Sequence, residues 1–290
     1  MARSEKNVSA FVGRIKGQGV TYYKRGGKVF ARIGTRSSPN RQSVKQFITR
    51  EKMRHSISLW RSIKGDNRPL MESTEGQTAY NTFLKANAQL PTVFLTKEQT
   101  RQQSALLMPG IVVSLGRLMP VEYDFATLAD GRRVVLTNLC TGLDASQVQP
   151  LAITSNNGLQ RLLFRESNPQ LKHGDYLRFY CFEQATRGEY PYVDVKCLKF
   201  QLDNDPRTKP NSNRWNFLSV NGRLAIANAD NQMQGWALVV TDADEKCAST
   251  QQVVTTCSLY LTYTSNEALK SAADTYGNVS FEGYLAPDPQ

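Results

Sequence analysis

Residues Gln252 to Tyr263 read QVVTTCSLYLTY, and in that stretch Val253, Thr255, Cys257, Leu259, Leu261 and Tyr263 alternate with Val254, Thr256, Ser258, Tyr260 and Thr262. A period of two with β-branched and aromatic residues predicts a strand with two distinct faces. The same period runs back to Ile111. It predicts strands at Ile111 to Leu118, Val121 to Ala129, Arg132 to Leu139, Leu159 to Glu166, Tyr176 to Gln184, Tyr192 to Leu202, Phe217 to Ala227 and Gly235 to Thr241. Asp130-Gly131 is a tight-turn signal between two of them. Many short strands with turn punctuation and no helices between them predict antiparallel sandwich or barrel architecture, with an immunoglobulin-like sandwich as the expected form.

The segment before Ile111 has a different period. Arg41 to Ile63 lacks Gly and Pro and predicts a helix whose apolar residues make no single stripe: Val44, Phe47 and Ile48 lie on one face, Met53, Ile57 and Trp60 roughly opposite. A second helix is predicted from Thr74 to Gln89, with Thr74 and Gln77 at capping-box spacing and Ala79, Tyr80, Phe83, Leu84 and Asn87 on one face. Pro91 ends it, so the two helices form a helical hairpin. Near the C-terminus, Thr264-Ser-Asn-Glu267 has capping-box spacing. Ala268, Leu269, Ala272, Ala273 and Tyr276 follow at helical spacing, and Gly277 sits where a C-terminal cap belongs.

Further upstream, Val20 to Tyr23 and Lys28 to Ile33 flank Arg25-Gly26-Gly27, a hairpin signal. The glycines at 13, 17 and 19 precede it without the Gly-Lys-Ser/Thr ending of a phosphate loop. The expected class is therefore α+β, in three parts. A basic arm with a β-hairpin and two helices covers 1–92, an antiparallel β domain covers 105–203, and a second β segment with a short C-terminal helix covers 215–290. The polar stretch Asp203 to Arg214 links the two β segments, which form one domain or two.

Charge sharpens the functional reading. The 290 residues carry a net charge of +11. The stretch from Met1 to Arg68 alone holds 17 Lys or Arg against three acids, so the rest of the chain is slightly acidic. Such asymmetry points to an anionic partner, or to an acidic surface of its own domain or of a neighbouring subunit. Within the arm, Lys16, Tyr22, Tyr23, Lys24, Arg25, Lys28, Phe30, Arg32 and Arg36 interleave bases with aromatics, the combination that tracks phosphates and stacks on bases. Arg and aromatic residues also populate protein interfaces. The helix at Arg41 to Ile63, apolar on several faces, favours packing against the β region plus a second chain.

Catalytic signals are sparse. There are two histidines, His55 in the first helix and His173 in His-Gly-Asp175, where the Gly-Asp pair reads as a turn before a strand. Asp203 with Asp205, and Asp242 with Asp244 and Glu245, read as loop acids without EF-hand spacing. The five cysteines, 140, 181, 197, 247 and 257, include no CxxC and read as reduced core-filling thiols. A hairpin turning at residue 189 would nonetheless set Cys181 across from Cys197, and one near Gln251 would do the same for Cys247 and Cys257. No metal or cofactor motif is read. No helix-turn-helix, zinc finger or other base-reading module is present either.

The order of these features resembles a family of uncharacterised proteins widespread in Bacteroidetes. Its members open with a glycine-interrupted basic hairpin, similar to Gly13 to Lys28. A Pro-containing link into a Gln- and Arg-rich helix follows, similar to Pro39, Gln46 and Arg50, and then a helix with a Phe and Asn pattern, similar to Ala79-Tyr-Asn-Thr-Phe-Leu-Lys-Ala-Asn87. Val113-Ser-Leu-Gly116-Arg-Leu118 resembles the strand that begins the family's β-rich half, and Gly235-Trp-Ala-Leu-Val239 with Ser249 to Tyr260 its closing strand pair. The resemblance implies no activity, cofactor or site residue.

The expected function is a non-enzymatic binding or assembly protein whose basic arm holds a partner subunit, in a homo-oligomer, or an anionic ligand. The alternative is nonspecific DNA or RNA binding through the basic hairpin. The first ten residues lack an apolar core, which predicts a cytoplasmic protein. No stretch approaches the roughly 20 apolar residues of a membrane span.

Overall fold

Helix α1 (Val44–Ser62) starts at Ser43, whose hydroxyl accepts from the Gln46 N–H at 3.3 Å while the Gln46 side chain accepts from the Ser43 N–H. This reciprocal capping box satisfies two otherwise orphaned donors. The buried residues of α1 are Val44, Phe47, Glu51, His55, Ser56, Ser58 and Leu59. The inward stripe thus exists at helical spacing, but Glu51, His55 and Ser58 occupy much of it, which is why apolar periodicity alone misses it. Met53, expected to pack opposite, is exposed.

In the computed structural model, residues 13–14, 20–25, 28–33, 42–63, 70–72, 77–151, 153–156, 159–163, 171–172, 174–203, 217–227, 233–256 and 262–281 are described. The chain separates into two compact units, 1–42 and 43–290. The first is a three-stranded antiparallel sheet of β1 (Gly13–Arg14), β2 (Val20–Arg25) and β3 (Lys28–Ile33), in that order. The expected basic hairpin is β2 with β3.

After β4 (Gln42–Ser43) and α1, the second unit continues with α2 (Ala79–Ala86), α3 (Lys97–Arg101), β5 (Val112–Ser114), β6 (Tyr123–Thr127), β7 (Arg133–Cys140), β8 (Gln149–Pro150), β9 (Ile153–Asn156), β10 (Leu159–Leu163), β11 (Tyr176–Arg187) and β12 (Tyr190–Asp203). It ends with β13 (Phe217–Val220), β14 (Arg223–Ala227), β15 (Gln234–Thr241), β16 (Gln251–Gln252), α4 (Asn266–Tyr276) and β17 (Val279–Ser280). One five-stranded sheet has the order β15-β11-β12-β10-β9 and another β6-β7-β14-β13-β8. The fold is mixed α+β, with mainly antiparallel sheets. The parallel pairing of β10 with β12 departs from the all-antiparallel expectation. Strands from 105–203 and from 215–290 lie side by side in both sheets, β15 beside β11 and β14 beside β7.

The two sheets share a core. Leu177 and Phe179 of β11, Phe200 of β12, and Trp236, Leu238 and Val240 of β15 pack with Val135, Leu139, Phe217, Leu224 and Ile226. Phe217 meets Phe179 edge-on at 4.9 Å and Phe200 at 5.6 Å between ring centroids, a favoured aromatic geometry. The other face of β11, β12 and β15 presents Tyr180, Phe182, Val193, Ala237 and Val239 to a second cluster holding Leu59, Phe83 and the 93–113 segment. Trp60 contacts both Phe83 and Tyr80, at 5.2 and 5.8 Å, which closes the expected α1–α2 helical hairpin. The N-cap of α2 is Thr78 rather than Thr74, which lies outside the described residues. Asn87 reads the backbone of Val112 in both directions, accepting from its N–H at 2.8 Å and donating to its carbonyl at 3.1 Å. At the other end, α4 starts at Ser265 and closes on Gly277 in the left-handed conformation, as expected of a C-terminal cap.

Several sequence expectations are corrected. Phe217 to Ala227 is two strands, β13 and β14, turning at Asn221-Gly222. These residues have φ of 53° and 71°, the paired positive values of a type I′ turn. Of the predicted strand from Gln252, the described residues up to Thr256 hold the end of β16 and one isolated bridge at Val254, and 257–261 lie outside the described residues. Trp236 exchanges both backbone hydrogen bonds with Val254, so this segment covers the edge of β15. Ile111 to Leu118 contributes only β5. The β11–β12 hairpin turns at Gly188-Glu189, half a residue from the expected centre. Cys181 therefore pairs with Lys196 and Cys197 with Tyr180. A one-residue offset puts the two thiols on opposite faces of the sheet, and both are unbridged. Cys257 lies outside the described residues.

Gly116 follows β5 where two backbones nearly touch. Its N–H donates to Thr250 Oγ1 at 3.1 Å, and that hydroxyl donates to the Gly116 carbonyl at 2.8 Å. A Cβ here would lie 2.1 Å from the Ala248 carbonyl oxygen. Gly116→Ala is expected to cost about 1–3 kcal/mol by overpacking, read as a lower urea midpoint at unchanged slope; an unshifted midpoint would show that the approach is not rigid.

Candidate functional site

In the first unit, antiparallel register pairs Tyr23 with Phe30, Arg25 with Lys28, and Thr21 with Arg32, one row of the β2–β3 ladder. Tyr23 and Phe30 stack at 5.5 Å with 19° between ring planes, and they remain 44% and 42% exposed. Two exposed aromatic rings stacked across a hairpin form a flat apolar surface, and by register cationic residues lie at both ends of it. Lys28 is exposed, whereas Tyr22 is half-buried in the neighbouring row opposite Ala31. Lys24 lies opposite Val29 in that other row. The hairpin thus sorts the expected site residues into two rows. Lys16 and Arg36 lie outside the described residues.

Within the second unit there is a cleft of about 430 Å³ that sequence reasoning missed. Its walls come from the last turn of α1 (Arg61), the residues ending and following α3 (Arg101 to Gln103) and the β11–β12 turn (Arg187, Tyr190, Tyr192). Asp194 is the one acid in its lining. The Arg187 guanidinium sits over the Tyr192 ring, 5.4 Å from its centroid. Gln184 fixes the walls together, accepting from the Leu107 N–H at 2.7 Å and donating to the Tyr192 carbonyl at 2.9 Å. The contributing segments lie far apart in sequence. The only local signal is the run of Arg and Tyr around the hairpin turn.

Several groups suited by type to catalysis are engaged in the fold. His55 is buried, and its Nε2 accepts from the Leu106 N–H at 3.0 Å. Burial lowers its pKa to about 4, so the ring is neutral near pH 7. Glu51, also buried, accepts from the Leu95 N–H at 2.9 Å and pairs with Arg54; burial, opposed by those two partners, raises its pKa. Burial also pushes the Cys181 and Cys197 thiols up, to about 12 and about 11, far from the thiolate a nucleophile requires. Of the loop acids, Asp242 accepts from the Cys247 N–H at 2.9 Å, and Glu245 pairs with both Arg178 and Lys199. These carboxylates hold the loop. His173 and Asp205 lie outside the described residues. Among the described residues, no three His, Cys, Asp or Glu side chains are grouped to hold a metal ion, and no helix is long and apolar enough to cross a membrane.

Comparison with protein-family models, with curated proteins and with solved structures gives no match to this chain.

Proposed function

We propose that the protein is a non-enzymatic binding protein whose basic arm holds an anionic partner, and that this partner is nucleic acid bound without sequence preference. The observation that carries this reading is the exposed Tyr23–Phe30 stack, with Arg25, Lys28 and Arg32 in the same ladder row. Bases stack on aromatic rings whatever their identity, and cations beside the rings track the phosphates. The immunoglobulin-like form of the sheets belongs to the same proposal, with the shared aromatic core between them as its support.

A second reading, assembly through a partner subunit, has its own observation. A groove of about 310 Å³ between α1 and α2 holds exposed Met53 with Leu84 and Ala88, a surface suited to a protein contact. One experiment separates the two readings: anisotropy of a labelled random single strand, with parallel sedimentation, at about 50 and 500 mM salt. If three arm cations contact phosphates, the single-strand slope of about −0.7 per contact predicts roughly a hundredfold weaker binding over that tenfold salt change. Tyr23→Ala and Phe30→Ala should each weaken binding, by about 1–3 kcal/mol per stacked base, without altering the slope. A defined oligomer at both salts with no strand bound would overturn the nucleic-acid reading and favour assembly.

A further inference from the structure

The arginine cleft of the second unit has a composition that its own packing does not require. Arg61 and Arg187 have no ion-pair partner among the described residues, and Arg101 has only the exposed Glu98 at 3.4 Å. An exposed pair of that kind contributes little. Three arginines therefore line one cavity against a single acid, Asp194. Guanidinium groups bind phosphate oxygens with two parallel hydrogen bonds, which makes arginine the residue suited to a phosphate site. The volume of about 430 Å³ falls within the roughly 300–1,000 Å³ of small-molecule pockets.

The same walls carry flat surfaces. Tyr190 and Tyr192 line the cleft, and the Arg187 guanidinium lies over Tyr192. Stacked arginine and aromatic side chains are the surfaces on which unpaired bases rest. Gln102 and Gln103 add amide donors and acceptors at the rim. The walls are fixed before any ligand arrives, because the Ala105 N–H donates to the Pro191 carbonyl at 3.0 Å and Gln184 ties the same two segments together. Little ordering would be left for the ligand to impose.

We propose that this cleft is a nucleotide-binding site, with Arg61, Arg101 and Arg187 on the phosphates and the base against Tyr190 and the Arg187–Tyr192 stack. The ligand is a free nucleotide or one nucleotide of a single strand. The site is independent of the arm, and its test does not depend on the arm binding anything.

The test is titration of the full-length protein with a fluorescent ATP analogue, in the wild type, in Arg61→Gln and Arg187→Gln, and in the arm double variant Arg25→Glu/Lys28→Glu. Saturable binding is expected in the wild type and the arm variant, with at least a tenfold loss in each cleft variant. The cleft variants should keep the wild-type circular dichroism, because Arg61 and Arg187 are exposed, and the arm variant is held to the same check. Tripolyphosphate, which has the charge but no base, should compete at least tenfold more weakly than ATP. If a ten-residue oligothymidylate competes better than ATP, the site belongs to a strand; if it competes worse, to a free nucleotide. Absence of saturable binding in the wild type, wild-type affinity in both cleft variants, or equal competition by tripolyphosphate would each overturn the proposal.

Discussion

Trp236→Ala should lower the free energy of unfolding by about 3–5 kcal/mol, the usual cost of deleting a buried tryptophan. Trp236 is 2% exposed in β15, opposite Cys181 of β11, and its indole lies in the core that the two five-stranded sheets share. Both of its backbone groups are bonded to Val254, so the main chain there cannot easily move inward to fill the space. Cores that relax little lose both the transfer energy and the cavity term. The loss should appear as a lower midpoint in guanidinium unfolding with an unchanged slope, because native compactness is preserved. Trp236→Phe, which leaves a smaller void, should cost distinctly less. A loss below about 1 kcal/mol for the alanine variant, well under the usual range, would mean that the sheets do not depend on this contact and that their shared core is not held there.

The sequence made parts of this arrangement readable and hid others, for reasons that can be named. The long strands β11 and β12 alternate over many residues and turn at a Gly-Glu pair, so their period dominates any local reading. Asn221-Gly222 is equally readable as a turn, yet the apolar run on either side masks it when Phe217 to Ala227 is read for period alone. The alternation from Gln252 is real, but alternation records which residues face a core and not whether a ladder forms. Here its described part, Gln252 to Thr256, crosses the edge of β15 with a single bridge at Val254. Helix α1 shows the opposite failure. Glu51, His55 and Ser58 are polar and yet sit in the buried stripe; Leu95 and Leu106 supply backbone partners to the first two, and Arg54 a charge to Glu51. No spacing rule contains such contacts. The basic arm is visible because its charges and aromatics are contiguous. The arginine cleft is not, because residues 58–62, 101–103 and 187–195 meet only in the folded second unit.

Acid should destabilise the second unit through His55, and the sign follows from its burial. Nε2 lies 3.0 Å from the Leu106 N–H and 3.1 Å from the Leu106 carbonyl oxygen, so the neutral ring accepts from the one and a charged ring would donate to the other. Protonation would leave a cation in the core, and this burial, opposed in part by the Leu106 carbonyl, holds the native pKa at about 4 against 6.5 for an exposed histidine. Between those values the unfolded chain binds a proton that the native state refuses. The His55 contribution is therefore complete above about pH 6.5 and is lost as pH falls toward 4. The loss there reaches about 3 kcal/mol, because a difference of one in pKa between the folded and unfolded chains corresponds to about 1.36 kcal/mol. Glu51, one turn earlier in α1, acts with the opposite sign. Its raised native pKa makes its contribution complete below the unfolded value and loses it as pH rises through the native one, so it partly masks the histidine in the wild type. Comparison with His55→Leu removes the masking, since Glu51 and Arg54 remain in both proteins. At pH 7 the variant should be less stable, because the Leu106 N–H is left buried without its partner, at about 1–3 kcal/mol. By pH 4 the wild type should have lost about 3 kcal/mol more than the variant, closing or reversing the gap in urea unfolding. A gap that stays constant from pH 7 to pH 4 would show that His55 binds protons equally well in the folded and unfolded chains, and that burial does not hold the ring neutral.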